Sequence, residues 1–525
     1  MKRPAFIQPA GCVLFGLLLC LSVVAGRPGE AQAAATSAAV SESPVLPTAI
    51  VVEDRVALRA EPRESARQHA LLWQGDSLQI RGRRLDFYQV YDYRRERAGY
   101  VRANQLRIID LRPEAANDLL AVVRFLSDSP GGESLGVAYA AAYLRAAPAR
   151  DIGSEVLSLL GRFADRLAHR VSSARRSNDQ ALAAHLEAVA HYGVRIASFE
   201  RAGRMQLCYD GEAYRRVLAL PASAEQQVEA ALALTRPECV NPDLTPLERH
   251  LHDDWRAQVL DRVAETELPE HLRNRLRMRK AAVWSSVAFQ RSRRGEPTVE
   301  AADRARAALA AVDRRNLAEE DRADYEEAAV RVGASRWAGD LASVADQRLN
   351  LQLQPGKQPG QTCVQLRKSS VKDGQVGAAQ ASAAAAMAAP SATLLAERCT
   401  FATVWANSVR VNPAGTVLAL AVQPIDGWRE LWLFQQGKQG WQIDVLPPAA
   451  ETPDVGYIEF AGWVPKSRKL LTAREVRESG RWVRRYELRS LDSLNAEKQA
   501  DDPTHLSVFY RNQDLAWKRQ TLALR

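Results

Sequence analysis

The side chains that could do chemistry in this chain are few and widely spaced. Among its eight histidines, His185 and His191 flank Glu187 in the segment HLEAVAH. At about 100° per helical residue the two imidazoles sit roughly 120° apart, whereas zinc-binding helical pairs share one face at i, i+4. His250 and His252 fall about 200° apart on a helix and point away from each other. Both pairs are expected to be solvated or capping residues, with no metal. The acidic clusters Glu319-Glu320-Asp321 and Glu326-Glu327 lack the glycine and alternating oxygens of a calcium loop and read as solvated helix faces. No H-E-x-x-H or phosphate-loop pattern occurs, and the residues assign no catalytic centre and no cofactor.

The cysteines carry the clearest chemical signal. There are six, and Cys12 and Cys20 lie in an export signal of the usual kind. Lys2 and Arg3 form its positive start, residues 11–25 (GCVLFGLLLCLSVVA) its apolar run, and Ala31-Gln32-Ala33 its cleavage site, so a mature chain is expected to start at Ala34. Leu19 is too large to precede a lipidated Cys20. The run is shorter than the roughly 20 residues a membrane span takes. A soluble periplasmic protein is expected, with secretion or surface display as the alternative.

Cys208, Cys239, Cys363 and Cys399 remain, an even number in an oxidising compartment. Pairing Cys208 with Cys239 and Cys363 with Cys399 keeps each bridge within one proposed domain. The chemical alternative, a Cys208 nucleophile beside a histidine, has no recognisable hydrolase signature around it.

Composition sets wider bounds. About 490 residues follow residue 33, more than one core normally organises, so two to four domains are expected. The apolar fraction of 46% and charged fraction of 25% are those of a globular protein. Removing Lys2, Arg3, Arg27 and Glu30 lowers the net charge from +9 to +7. The basic residues are dispersed rather than gathered in a patch, so no nucleic-acid surface is expected. The excess of arginine over lysine reads as genome composition rather than as an anion site.

Residues 34–47 read as a linker. Residues 48–110 alternate apolar and polar positions between turn signals. VALRAEP (56–62) stops at proline, LLWQGDSLQIRG (71–82) turns at Gly75-Asp76, FYQVYDY (87–93) leads to a charged tip at 94–97, and AGYVRANQL (98–106) closes the segment. Five short strands of this kind bury a core by closing into a small barrel. In FYQVYDY, Tyr88 and Val90 share one face, and Phe87, Tyr91 and Tyr93 the other.

This segment resembles the bacterial SH3 (SH3b) family. Val56, Leu58 and Arg59 match its first element, Gly75-Asp76 its turn, Tyr88 with Val90 its third element, and Gly99-Tyr100-Val101 with Leu106 its last; Phe87 stands where the family usually has tryptophan. The resemblance implies a module that binds cell wall or peptide. It carries a candidate ligand surface onto Phe87, Tyr91 and Tyr93 together with Trp73, since aromatic rings give rigid apolar contact with a polar tip. The other reading is that these rings pack on the following helices.

Residues 111–350 show helical periodicity, with Leu182, Leu186, Val189, Gly193 and Ile196 as one stripe. Breaks at 130–132, Pro148, Pro221, Pro237, Pro242, Pro269 and 295–297 divide them into about ten helices, either a bundle or a solenoid. No 34-residue tetratricopeptide pattern is present.

Residues 355–525 are rich in strand patterns, with a small-residue insertion at 374–391. Two strand-turn-strand units, around Asn412-Pro413 and Val464-Pro465, lie 52 residues apart and resemble β-propeller blades. A partial propeller or a sandwich follows from them. Seven of the eleven tryptophans lie here, and most are expected to fill the core.

The chain thus reads as an exported, non-enzymatic cell-envelope protein. Its barrel would contact peptidoglycan or a peptide, and its other domains protein partners. The alternative is a cell-wall hydrolase targeted by the barrel, with dispersed catalytic carboxylates.

Overall fold

In the computed structural model, residues 46–174, 180–201, 203–339, 349–368, 393–450 and 454–524 are described. The export signal and the insertion 374–391 lie outside them. Three regions follow one another: an antiparallel β region, a helical region and a β-rich region.

The first contains seven strands rather than five: β1 (Thr48–Val51), β2 (Val56–Arg59), β3 (Gln68–Leu72), β4 (Ser77–Arg84), β5 (Phe87–Asp92), β6 (Arg97–Arg102) and β7 (Leu106–Ile109). They pair in the order β3-β2-β6-β5-β4-β1-β7. The two additional strands pair with each other along their length, from Thr48 opposite Ile109 to Val51 opposite Leu106. Every strand contributes to one buried cluster, including Val51, Leu58, Leu72, Ile80, Val90, Val101 and Leu106. The Gly75-Asp76 turn needs glycine, because Gly75 has φ +92° and a Cβ there would come within 2.9 Å of the Ser134 carbonyl oxygen.

Ten helices follow: α1 (Ala116–Ser127), α2 (Glu133–Ala146), α3 (Ser154–Ser173), α4 (Gln180–His191), α5 (Glu212–Ala219), α6 (Ala224–Leu234), α7 (Pro246–Asp261), α8 (Glu270–Arg293), α9 (Val299–Ala310) and α10 (Arg322–Ala334). Each break expected from proline or glycine falls between two of them. Capping boxes at Ser223 with Gln226 and Thr245 with Glu248 start α6 and α7. The helices gather around two cores, one about Phe163, Leu167 and Tyr214, the other about Leu276, Val287 and Tyr325. The expected stripe through Ile196 does not hold as one helix. α4 ends at His191, Gly193 turns the chain at φ +85°, and Ile196 opens a hairpin, β8 (Ile196–Arg201) with β9 (Arg204–Tyr209). The side chains from Ile196 to Phe199 are those of a strand, and helical spacing alone did not reveal the change.

The last region holds a three-stranded sheet, β10 (Leu349–Pro355), β11 (Thr362–Lys368) and β12 (Leu394–Thr400). An eight-stranded sheet consists of two four-stranded meanders. The first is β13 (Thr403–Val411), β14 (Val417–Ile425), β15 (Trp428–Gly437) and β16 (Gly440–Leu446). The second is β17 (Gly456–Trp463), β18 (Lys469–Glu478), β19 (Arg481–Ser490) and β20 (Ala496–Ala500). The units 52 residues apart are the first hairpins of these meanders, which join where β15 runs parallel to β17 at Trp428–Gly456 and Arg429–Tyr457. Trp405, Trp428, Trp432 and Trp517 are buried. Trp517 does so from a helix rather than a strand: α11 (Ser507–Asn512) and α12 (Leu515–Leu524) close the chain, and Phe509 and Trp517 pack on Tyr486.

Candidate functional site

From Val90 onward the side chains of β5 alternate as the sequence pattern requires. Val90 and Asp92 are buried, Tyr91 is half-buried and Tyr93 is 59% exposed. The Tyr91 and Tyr93 rings meet edge to face with centroids 4.8 Å apart. The Arg81 guanidinium lies over Tyr91, 4.0 Å from the ring centroid, and the Tyr93 hydroxyl donates to Gln79 Oε1 at 3.0 Å. β4 brings both partners, with Gln79 directly opposite Tyr91. The result is an exposed apolar face bordered by a cation and by hydrogen-bonding groups.

Trp73 and Phe87, expected on the same surface, lie inside the fold at 5% and 6% exposure. Arg102 covers the Phe87 ring at 5.6 Å. Trp73 donates its backbone N–H to the Asp76 carboxylate at 3.0 Å. The structure therefore brings Tyr91 and Tyr93 together and separates them from the other two candidates.

The tip beyond Tyr93 is anchored rather than solvated. Arg94 and Arg95 turn back onto buried Asp76 at 2.9 and 3.0 Å, and Arg95 also reaches Asp92 at 2.7 Å. Burial pushes the Asp76 carboxyl up, while the two guanidiniums pull it down. Carboxylates held this way fix the loop that carries Tyr93.

The same turn seats the β region on the helices. Tyr192 donates its hydroxyl to the Gly75 carbonyl at 2.8 Å, and His185 Nε2 lies 2.7 Å from Asp54 Oδ1 across 131 positions. His185 is thus a buried partner, not a solvated residue. His250 is buried too, 3.3 Å from Asp254. His252 lies against Trp255, and burial, with Arg256 adding to it, lowers its pKa to about 4. These imidazoles moved inward because each met a carboxylate or an aromatic neighbour from elsewhere in the fold, which residue spacing does not encode.

Both disulfides form as paired in the sequence reading. Cys208–Cys239 ties β9 to the short turn Pro237–Cys239. Cys363–Cys399 joins directly opposed residues of β11 and β12, on either side of residues 369–392. Glu397 lies near the second bridge, but both sulfurs are oxidised and offer no thiolate to a metal.

A cavity of about 530 Å³ opens among α6, α7, α8 and α10. Seven arginines line it, against Glu238, Asp324 and Glu327. No sequence signal marks it, because its arginines are scattered from position 201 to 331 and form no local cluster. With this geometry in view, comparison with family models, curated proteins and solved structures finds no match.

Proposed function

We propose that the protein is an exported cell-envelope binding and scaffold protein. Residues 48–110 act as an SH3b-type module that contacts peptidoglycan through Tyr91, Tyr93 and Arg81, and the helical and strand-rich regions hold protein partners. The observation that carries this reading is the edge-to-face pair of exposed Tyr93 and half-buried Tyr91, with a guanidinium over the Tyr91 ring. Its faces suit a sugar ring or the apolar part of a stem peptide, and the cation suits peptidoglycan's carboxylates. Two disulfides accord with an oxidising compartment. Among the described residues no helix is long and apolar enough to cross a membrane.

Calorimetric titration of the chain lacking residues 1–33 with soluble peptidoglycan fragments tests this reading. Saturable binding that Y91A/Y93A weakens tenfold or more supports it. Equal binding by wild type and Y91A/Y93A refutes the assignment of the face.

A further inference from the structure

From the arginine-lined cavity we infer a binding site for a small organic oxyanion bearing carboxylate or phosphate groups, separate from the tyrosine face. At about 530 Å³ the cavity falls within the range of small-molecule sites, roughly 300–1,000 Å³.

Most of its cations already have carboxylate partners. Arg275 is held by Asp321 at 2.8 Å and Arg331 by Glu327 at 2.9 Å, while Arg236 pairs with Asp165. Asp253, fully buried, pairs with Arg249 and with Arg256 at 3.0 Å each, and Asp426 lies 3.6 Å from Arg249 and 3.7 Å from Arg331. Arg279 has no carboxylate within 4.0 Å among the described residues; it reaches only the Leu232 carbonyl at 3.1 Å and Thr235 Oγ1 at 3.5 Å. Arg201, exposed, reaches only the Pro237 carbonyl at 2.8 Å.

Arg201 and Arg279 are therefore the guanidiniums of the cavity wall that no carboxylate among the described residues pairs within 4.0 Å. Burial lowers the pKa of Arg279, with Arg236 adding to the effect against Glu238 and Asp324. Burial also brings Arg256 down to about 10 despite Asp253. Burial pushes the carboxyl of Asp324, the nearby acid, up, while Arg279 pulls it down. An anion seated against Arg201 and Arg279 would give both the charged partner they lack, and their planar forks match two-oxygen acceptors. Leu232, Val240 and Met278 in the same wall give an organic body an apolar surface, which a bare inorganic ion would leave unused.

The test is isothermal titration of the chain lacking residues 1–33 with citrate, glucose 6-phosphate, inorganic phosphate and glucose, each at matched ionic strength. The expected result is saturable binding of citrate or glucose 6-phosphate, at least tenfold tighter than inorganic phosphate, and none of glucose. R279Q should weaken it tenfold or more. R201Q, an exposed change that breaks no ion pair, should weaken it several-fold and reduce its salt dependence. Y91A/Y93A should leave it unchanged, which separates this site from the proposed wall-binding face. No saturable binding of either organic anion, or binding that R201Q and R279Q both leave intact, overturns the inference.

Discussion

Arg429 and Glu459 form an ion pair in the interior: Arg429 Nη2 lies 2.7 Å from Glu459 Oε2, with both side chains almost wholly buried. The pair does more than join β15 to β17. Arg429 Nη1 also donates to the Gly333 and Ala334 carbonyls at the end of α10, at 2.7 and 3.1 Å. Arg336 approaches the same Glu459 oxygen at 3.2 Å, and Trp517 Nε1 donates to the other at 2.7 Å. One carboxylate thus links the helical region, both meanders and the C-terminal helix. Desolvation lowers Arg429 to about 10 against the pull of Glu459, so the arrangement depends on every partner being present.

Breaking this network from one side should be costly. Glu459→Gln leaves two buried guanidiniums without a counter-charge and should destabilise the protein by about 3–5 kcal/mol, read as a lower denaturant midpoint. Glu459→Leu with Arg429→Met should cost less than the sum of the two single changes. Additive losses would mean that the two residues are not coupled.

The Cys208–Cys239 bridge closes a loop with a sequence separation of 31. Replacing both cysteines with serine should cost about 3–4 kcal/mol on the chain-entropy model. Denaturant unfolding with and without reductant checks this: reductant should no longer shift the variant's transition through this loop.

The seat of the β region on the helices can be loosened by one atom. Tyr192→Phe removes the donor to the Gly75 carbonyl and should cost about 1–2 kcal/mol by leaving that acceptor unpaired. Gly75→Ala should cost more, since it adds a contact with the Ser134 carbonyl at a left-handed backbone position. Wild-type hydrogen-exchange protection across residues 72–77 in both variants would contradict the interface described.

His252 sets a pH dependence whose sign follows from its environment. It titrates near 4 in the fold and near 6.5 when unfolded. Between those values the unfolded chain binds the extra proton, so this residue lowers stability as pH falls from about 6.5 to 4 and has no effect above that window. In His252→Gln the stability-versus-pH curve should be flatter there than in wild type. Parallel curves would show that the imidazole is not buried as described.

Several features were legible because local chemistry determines them. Proline and glycine marked the helix breaks, alternation placed Tyr91 and Tyr93 on the outer face of β5, and the even cysteines paired within their own regions. What was not legible depends on distant partners. Phe87 alternates in phase with Tyr91, yet Arg102 from the neighbouring strand covers it. His185 looked solvated until Asp54 arrived from 131 positions away. The cavity arginines run from Arg201 in β8 to Arg331 in α10 and converge only through tertiary packing. The C-terminal helices, one of which carries Trp517, directly follow the last strand and were read as part of the strand-rich region.

The central claim is that this protein holds the cell wall through two tyrosines, and cosedimentation with purified peptidoglycan tests it most directly. The chain lacking residues 1–33 should pellet with the insoluble wall material, and Y91A/Y93A, shown by circular dichroism to be folded, should remain in the supernatant. Wild-type protein that stays in the supernatant, or a variant that pellets equally, would contradict the account.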